Sequence, residues 1–220
     1  MKHVYLHTNN IRLHAVRVGP ADQTPILLLH GFPESWRAWD KVLPLLESAG
    51  VAALALDLRG YGESDRPKGV QAYAMGELLA DVVGVMDQLG EPVHLVAHDW
   101  GGALAWRIAM AHPERLRRLT ILSSPHPVVM ARALKTRWRQ RLDSWYFLAF
   151  QIPWLPERLA SVGDATLMAR AIRNTAQPGA FSEETMAELR RGWADPAVLG
   201  AQIDWYRAMV RYPQKLPTDR

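Results

Sequence analysis

Asp99 stands at the turn of "VHLVAHDWGGALAWRIAMAHP", residues 93–113, which reads as an apolar strand, a sharp turn and a helix. Ala97, Gly101 and Gly102 flank it, the small-residue pattern of a nucleophile elbow, with alanine in place of the usual first glycine. A small side chain suffices at Ala97, and the two glycines let the helix lie close to the strand. The N-terminus of that helix is electropositive and favours an ionised carboxylate. A carboxylate can displace a leaving group from saturated carbon and so form an alkyl ester of the enzyme. Water must then attack the ester carbonyl, which requires a general base and an oxyanion hole. Asp99 therefore points to substrates with an electrophilic sp³ carbon, chiefly epoxides or alkyl halides. Taken alone, "HDWGG" also fits an ordinary helix N-cap.

The upstream run "LLLHGFPESW" narrows that choice. It places His30-Gly31-Phe32-Pro33 directly after a buried strand. In such folds the oxyanion hole combines the N–H after the nucleophile with one from this loop. Those donors are the backbone amides of Trp100 and Phe32.

The elements that must position these groups are legible as a series. "KHVYLHT" and "IRLHAVRV" predict two strands joined at Asn9-Asn10. "PILLLHG", "VAALALDLRG", "VHLVAH" and "LRRLTILSS" predict four buried strands. Helical spacing fills "PESWRAWDKVLPLLESAG", about Tyr73 to Leu89 before Gly90, and "GGALAWRIAMAH". Buried strands alternating with helices predict an α/β fold, a parallel sheet covered on both faces with an antiparallel pair at its start. Residues 130–212 contain no buried strand, and their helical pattern is broken at Pro153, Pro156, Pro178, Pro196 and Pro213. Trp138, Trp145, Trp154, Trp193 and Trp205, five of nine tryptophans, lie there. An all-helical insertion after a parallel strand reads as a cap over the site. The predicted division is a core over 1–129, a helical cap over 130–214 and the start of a return to the core over 215–220.

Composition excludes several classes. The chain has 220 residues, a formal net charge of +4 and no cysteine. Disulfides, thiolate zinc sites and a cysteine nucleophile are ruled out. The first residues carry no apolar signal region, and no run approaches the roughly 18 apolar residues of a membrane span; a cytoplasmic location is the expectation. From residue 131 onward Lys and Arg outnumber Asp and Glu by 14 to 9, densest at Arg132, Lys135, Arg137, Arg139 and Arg141. Without a nucleic-acid motif this reads as a solvated helix face. His3, His7 and His14 fall in the first hairpin, and no histidine pair has metal-ligand spacing in sequence.

"HGFPESW", "LRGYGESDRP" and "VAHDWGG", in that order, resemble the epoxide hydrolases of the α/β-hydrolase fold. The resemblance covers the whole chain. It implies Asp99 as nucleophile, Phe32 and Trp100 as oxyanion donors, and two cap tyrosines that protonate the epoxide oxygen. "WYFLAFQIPW" places that role on Tyr146 and "DWYRAMVR" places it on Tyr206. A phenol, with pKa about 10, can serve an alkoxide while staying protonated at neutral pH. His30 and His98 lie inside the motifs, but the family uses neither as base. His98 precedes the nucleophile, so its side chain is expected on the other face of the strand; His94, His112 and His126 read as structural or surface groups. The family's base is a late histidine oriented by an acid. The chain stops at "RYPQKLPTDR", and "LSSPHP", an alternative place for the acid, has no carboxylate. The resemblance therefore implies a cap inserted after the sixth strand, the last two strands absent, and a fragment of a longer enzyme rather than a natural truncation.

The expected reaction is hydrolysis of a small apolar epoxide to a vicinal diol through an Asp99 ester, without metal or organic cofactor. A haloalkane or haloacetate dehalogenase would use the same aspartate, with the Trp100 indole as a halide donor. A third reading is a non-catalytic binder, or an inactive fragment, that holds a small ligand under the cap. The sequence leaves the oligomeric state open.

Overall fold

The computed structural model describes residues 1–90 and 92–214. Strands β1 (Lys2–Thr8) and β2 (Ile11–Val18) pair antiparallel, with Thr8 opposite Ile11. Asn9 and Asn10 turn the chain between them with φ of 45° and 58°, the left-handed values that a two-residue hairpin of the primed type needs and asparagine tolerates. The remaining strands are β3 (Ile26–Leu29), β4 (Ala53–Leu56), β5 (Val93–His98) and β6 (Leu116–Leu122). Their order is β1-β2-β4-β3-β5-β6, with β2 antiparallel to β4 and the β4-β3-β5-β6 pairs parallel. This is the predicted sheet.

Alternation along the strands loads both faces. Leu13, Leu27, Leu29, Leu54 and Leu56 point to one side, toward helices α2 (Met75–Leu89) and α3 (Trp100–Ala111). Val16, Leu28, Ala53 and Ala55 point to the other, where Trp36 and Trp39, together with Leu43 at the start of helix α1 (Leu43–Ser48), cover them. Each fully buried leucine contributes about 1.5–3 kcal/mol relative to an exposed one.

Three expectations need correction. The run after His30 forms a 3-10 turn at Trp36–Trp39 and then the short α1, not one helix. Pro44 explains the break, since proline suits a first helical turn and not an interior. Helix α2 begins at Met75, after a 3-10 turn over Val70–Tyr73, and ends at Gly90 in the left-handed conformation. β6 is not buried: it borders only β5 among the described residues, and Leu122 is 45% exposed.

After β6 the chain is helical: α4 (Pro127–Thr136), α5 (Trp138–Asp143), α6 (Trp145–Ala149), α7 (Leu155–Thr175), α8 (Glu183–Trp193) and α9 (Pro196–Arg211). Pro156 and Pro196 sit in first turns, where their missing N–H is not needed. Helix α7 kinks at Val162–Ala165. Helix α4 begins three residues before the expected cap boundary at 130, and the predicted return over 215–220 lies outside the described residues. Met186, Leu189, Trp193, Leu199 and Ile203 form a separate core among these helices. Helix α9 joins that core to the main one, because Ala201, Trp205, Tyr206 and Ala208 belong to the latter. No described helix is long and apolar enough to cross a membrane.

Candidate active site

β5 runs straight into Asp99, whose φ of 50° and ψ of −114° are outside the ordinary regions for a side-chain-bearing residue. The surroundings hold it there. Its N–H donates to the Leu122 carbonyl (3.3 Å), its carbonyl accepts from Ala103 (2.9 Å), and Gly101 N–H donates to the His30 carbonyl (3.0 Å). Two glycines are required by contact. A Cβ on Gly101 would lie 2.6 Å from the carbonyl oxygens of Leu29 and His30, and one on Gly31 would lie 2.4 Å from Asp99 Cβ.

Phe32 N–H donates to Asp99 Oδ1 at 2.9 Å. Burial pushes the Asp99 carboxyl above the usual aspartate range, against the pull of the Phe32 and Trp100 amides. Here the sequence expectation is incomplete. Donors at a helix end favour the anion, but lost hydration opposes them more strongly. Asp99 nevertheless keeps part of its surface accessible.

Both expected tyrosines stand over this carboxylate. Tyr206, buried on α9, meets Trp100 edge-on at 5.0 Å, Phe32 at 5.2 Å and Tyr146 of α6 at 5.8 Å between ring centroids. Phe147 and Phe150 close the aromatic box. Burial, and then the charge of Asp99, raises the pKa of Tyr146 and raises that of Tyr206 well above the ordinary value. The structure thus brings Asp99, Phe32, Trp100, Tyr146 and Tyr206 together.

Several supporting residues were not singled out from sequence. Arg207, nearly buried, donates to the Phe150 and Ile152 carbonyls (2.9 and 2.7 Å) and pairs with Glu157 (2.5 Å) and Asp204 (3.0 Å). The Gln151 amide donates to the Tyr206 and Phe147 carbonyls, each at 3.1 Å, and so ties the segments of the two tyrosines together. The indoles of Trp193 and Trp205 donate to the carbonyls of Pro33 and Arg59 (2.8 and 3.0 Å), pinning the helices to the loops after β3 and β4. Arg207 and Trp205 lie within the quoted "DWYRAMVR", but no sequence signal marks a buried cation or an indole donor.

The histidines inside the motifs are occupied. Buried His30 contacts the Gly31 carbonyl through Nδ1 (2.8 Å) and accepts the Leu58 N–H at Nε2 (3.2 Å); burial lowers its pKa. His98 lies 3.3 Å from Glu34, and that hydrogen bond raises its pKa. His126 caps α4 and packs on Trp106, and His112 sits 3.6 Å from Glu114.

A mostly parallel sheet, a strained aspartate on the strand-to-helix turn and a backbone donor from the neighbouring loop define the class. The chain belongs to the alpha/beta hydrolase fold family, whose model matches residues 24–198. It is 37% identical over 206 residues to the AB hydrolase superfamily protein YfhM of Bacillus subtilis, covering 93% of this chain and 72% of that one. It is 40% identical over 163 residues to human Epoxide hydrolase 4, covering 74% of this chain and 45% of the human protein. A solved structure from a study of novel epoxide hydrolases in metagenomes from hot environments superposes with a TM-score of 0.83 at 31% identity, over 99% of this chain and 72% of that one. The chain therefore spans under half the length of the human relative.

Proposed function

We propose that this chain carries the machinery that opens an epoxide by forming an ester at Asp99, the first half of hydrolysis to a vicinal diol. One observation carries the reading: the elbow carboxylate accepts the Phe32 amide while two phenols stand within its electrostatic reach. An oxygen of Asp99 attacks a ring carbon, the C–O bond breaks, and its electron pair goes to the epoxide oxygen. One of Tyr146 and Tyr206 gives its proton to that oxygen while the other donates a hydrogen bond to it. Their raised pKa values keep both phenols protonated at neutral pH. The aromatic box favours an apolar substituent on the substrate.

Water then attacks the ester carbonyl, and the Phe32 and Trp100 amides hold the oxyanion. This step needs a base. The late histidine that the resemblance calls for is not among the described residues, and His30 and His98 already have partners. The relatives named epoxide hydrolase support the substrate class.

The test is consumption of styrene oxide by the wild-type chain and by Asp99→Ala. The wild type is expected to consume at least one equivalent and the variant none, with circular dichroism showing the variant folded. Consumption by Asp99→Ala would overturn the assignment. Reaction with a bromoalkane but not with the epoxide would favour the dehalogenase reading.

A further inference from the structure

In the first hairpin His3 lies opposite Val16, and Tyr5 opposite His14. Residues two apart share a face, so His3 and His14 are diagonal neighbours on one side of the sheet. Eleven positions of sequence hide a contact that the hairpin makes direct: His3 Nδ1 lies 2.8 Å from His14 Nε2, and the rings stack with centroids 5.0 Å apart. Glu63 arrives from the loop after β4. One ligand atom from each of His3, His14 and Glu63 lies within 4.8 Å of the others.

We propose that His3, His14 and Glu63 form a binding site for a divalent first-row transition metal of the zinc class. Two imidazoles and one carboxylate are a donor set for Zn²⁺, Co²⁺, Ni²⁺ or Cu²⁺ and a poor one for Mg²⁺ or Ca²⁺.

The surrounding contacts are those of a ligand set. His14 is fully buried, and its Nδ1 lies 2.7 Å from Oδ2 of buried Asp57. Asp57 also accepts the backbone N–H groups of Trp36 (2.7 Å) and Glu63 (3.1 Å). Donation from Nδ1 to this carboxylate aims the other nitrogen, Nε2, at the site, the usual outer partnership of a metal-binding histidine. The same carboxylate fixes the backbone of Glu63, so it backs two ligands at once. Tyr5 OH donates to Glu63 Oε2 at 2.6 Å, which leaves further acceptor capacity on that carboxylate.

To bind through Nδ1, neutral His3 takes the tautomer with its proton on Nε2, so any proton held between His3 Nδ1 and His14 Nε2 moves to the other ring nitrogen of His3 and both imidazoles stay neutral. Nitrogens bound tetrahedrally at 2.0–2.1 Å stand about 3.3 Å apart, so the rings must part by roughly half an ångström. His3 and Glu63 are exposed and can move. Bound metal would clamp β1 to the 57–63 loop.

Zinc chloride is the probe, with the chain free of any histidine tag. Equilibrium dialysis with elemental analysis should find one Zn²⁺ per chain, and the melting temperature should rise with zinc concentration. His3→Gln and Glu63→Gln change exposed side chains and should each weaken binding by about tenfold or more. His7→Gln, on the same strand but outside the cluster, should bind as the wild type does. Co²⁺ should give a visible absorption band in the wild type that both ligand variants lose. Failure to retain zinc at neutral pH, or equal zinc binding in the wild type, His3→Gln and Glu63→Gln, would overturn the proposal.

Discussion

Asp99 follows a strand with neighbours on both sides, whereas Tyr146 sits on a five-residue helix whose Trp145 and Leu148 are 65% and 76% exposed. Around Asp99, two glycines at contact distance and a set of backbone bonds leave no freedom to place the carboxylate elsewhere. Around Tyr146, position depends on side chains reaching from α9, chiefly Arg207, and on Gln151. Tyr206 lies between these regimes, buried with the main core yet carried by α9. Asp99 is built into the end of the sheet; the two tyrosines are held by a few polar clamps.

Removing both phenols should break this arrangement most severely. Tyr146→Phe and Tyr206→Phe are each expected to slow epoxide opening by about 10²-fold or less, the lower end of what a positioned general acid contributes, because the other phenol remains. The double variant should be far slower than either, because each phenol partly replaces the other. Stopped-flow or quenched single-turnover rates check this, and a double variant as fast as the singles would reduce both tyrosines to packing.

Arg207→Ala should come next, acting on stability before chemistry. It leaves Glu157, almost as buried as Arg207 itself, without its partner. Breaking such a pair costs about 3–5 kcal/mol. A urea titration should show that loss, and the opening rate should fall with Tyr146 displaced. An unchanged midpoint would mean that the clamp does not hold the α6 segment. At the far end, Trp138→Ala changes a side chain that is 61% exposed and should shift stability by less than about 0.5 kcal/mol, with no change in opening rate.

The same contrast governs what could be read from residue order. Short apolar runs gave β3, β4 and β5, because a parallel sheet buries both faces and its pattern is local, while alternating residues on either side of Asn9-Asn10 gave the antiparallel β1 and β2. The elbow and the "HGFPESW" loop were legible for the same reason: each needs small or special residues at fixed positions. The two tyrosines came only through family resemblance, since a tyrosine in a tryptophan-rich helix is otherwise indistinguishable from core. Arg207 and Gln151 were not legible at all. Their importance comes from carbonyls 55 to 57 residues away, a matter of tertiary contact. β6, LRRLTIL, read as buried from its leucines and isoleucine, but burial depends on neighbours that its own sequence does not specify. The His3–His14 contact is a register effect, visible only once the hairpin is paired.

The pH dependence of alkylation sharpens the nucleophile's side of the account. Asp99 must be ionised to attack, and burial raises its pKa. The rate should therefore rise with pH through a value above the ordinary aspartate pKa, then stay level through neutrality, because both phenols titrate above their normal range. Mass spectrometry of the intact chain and its peptides, after mixing with styrene oxide across that pH series, tests the central claim most directly. The expected result is one added substrate mass, located on Asp99, that accumulates faster as this carboxyl ionises and is absent from Asp99→Ala. Diol formation without any Asp99-linked intermediate, or an adduct on another residue, would contradict it.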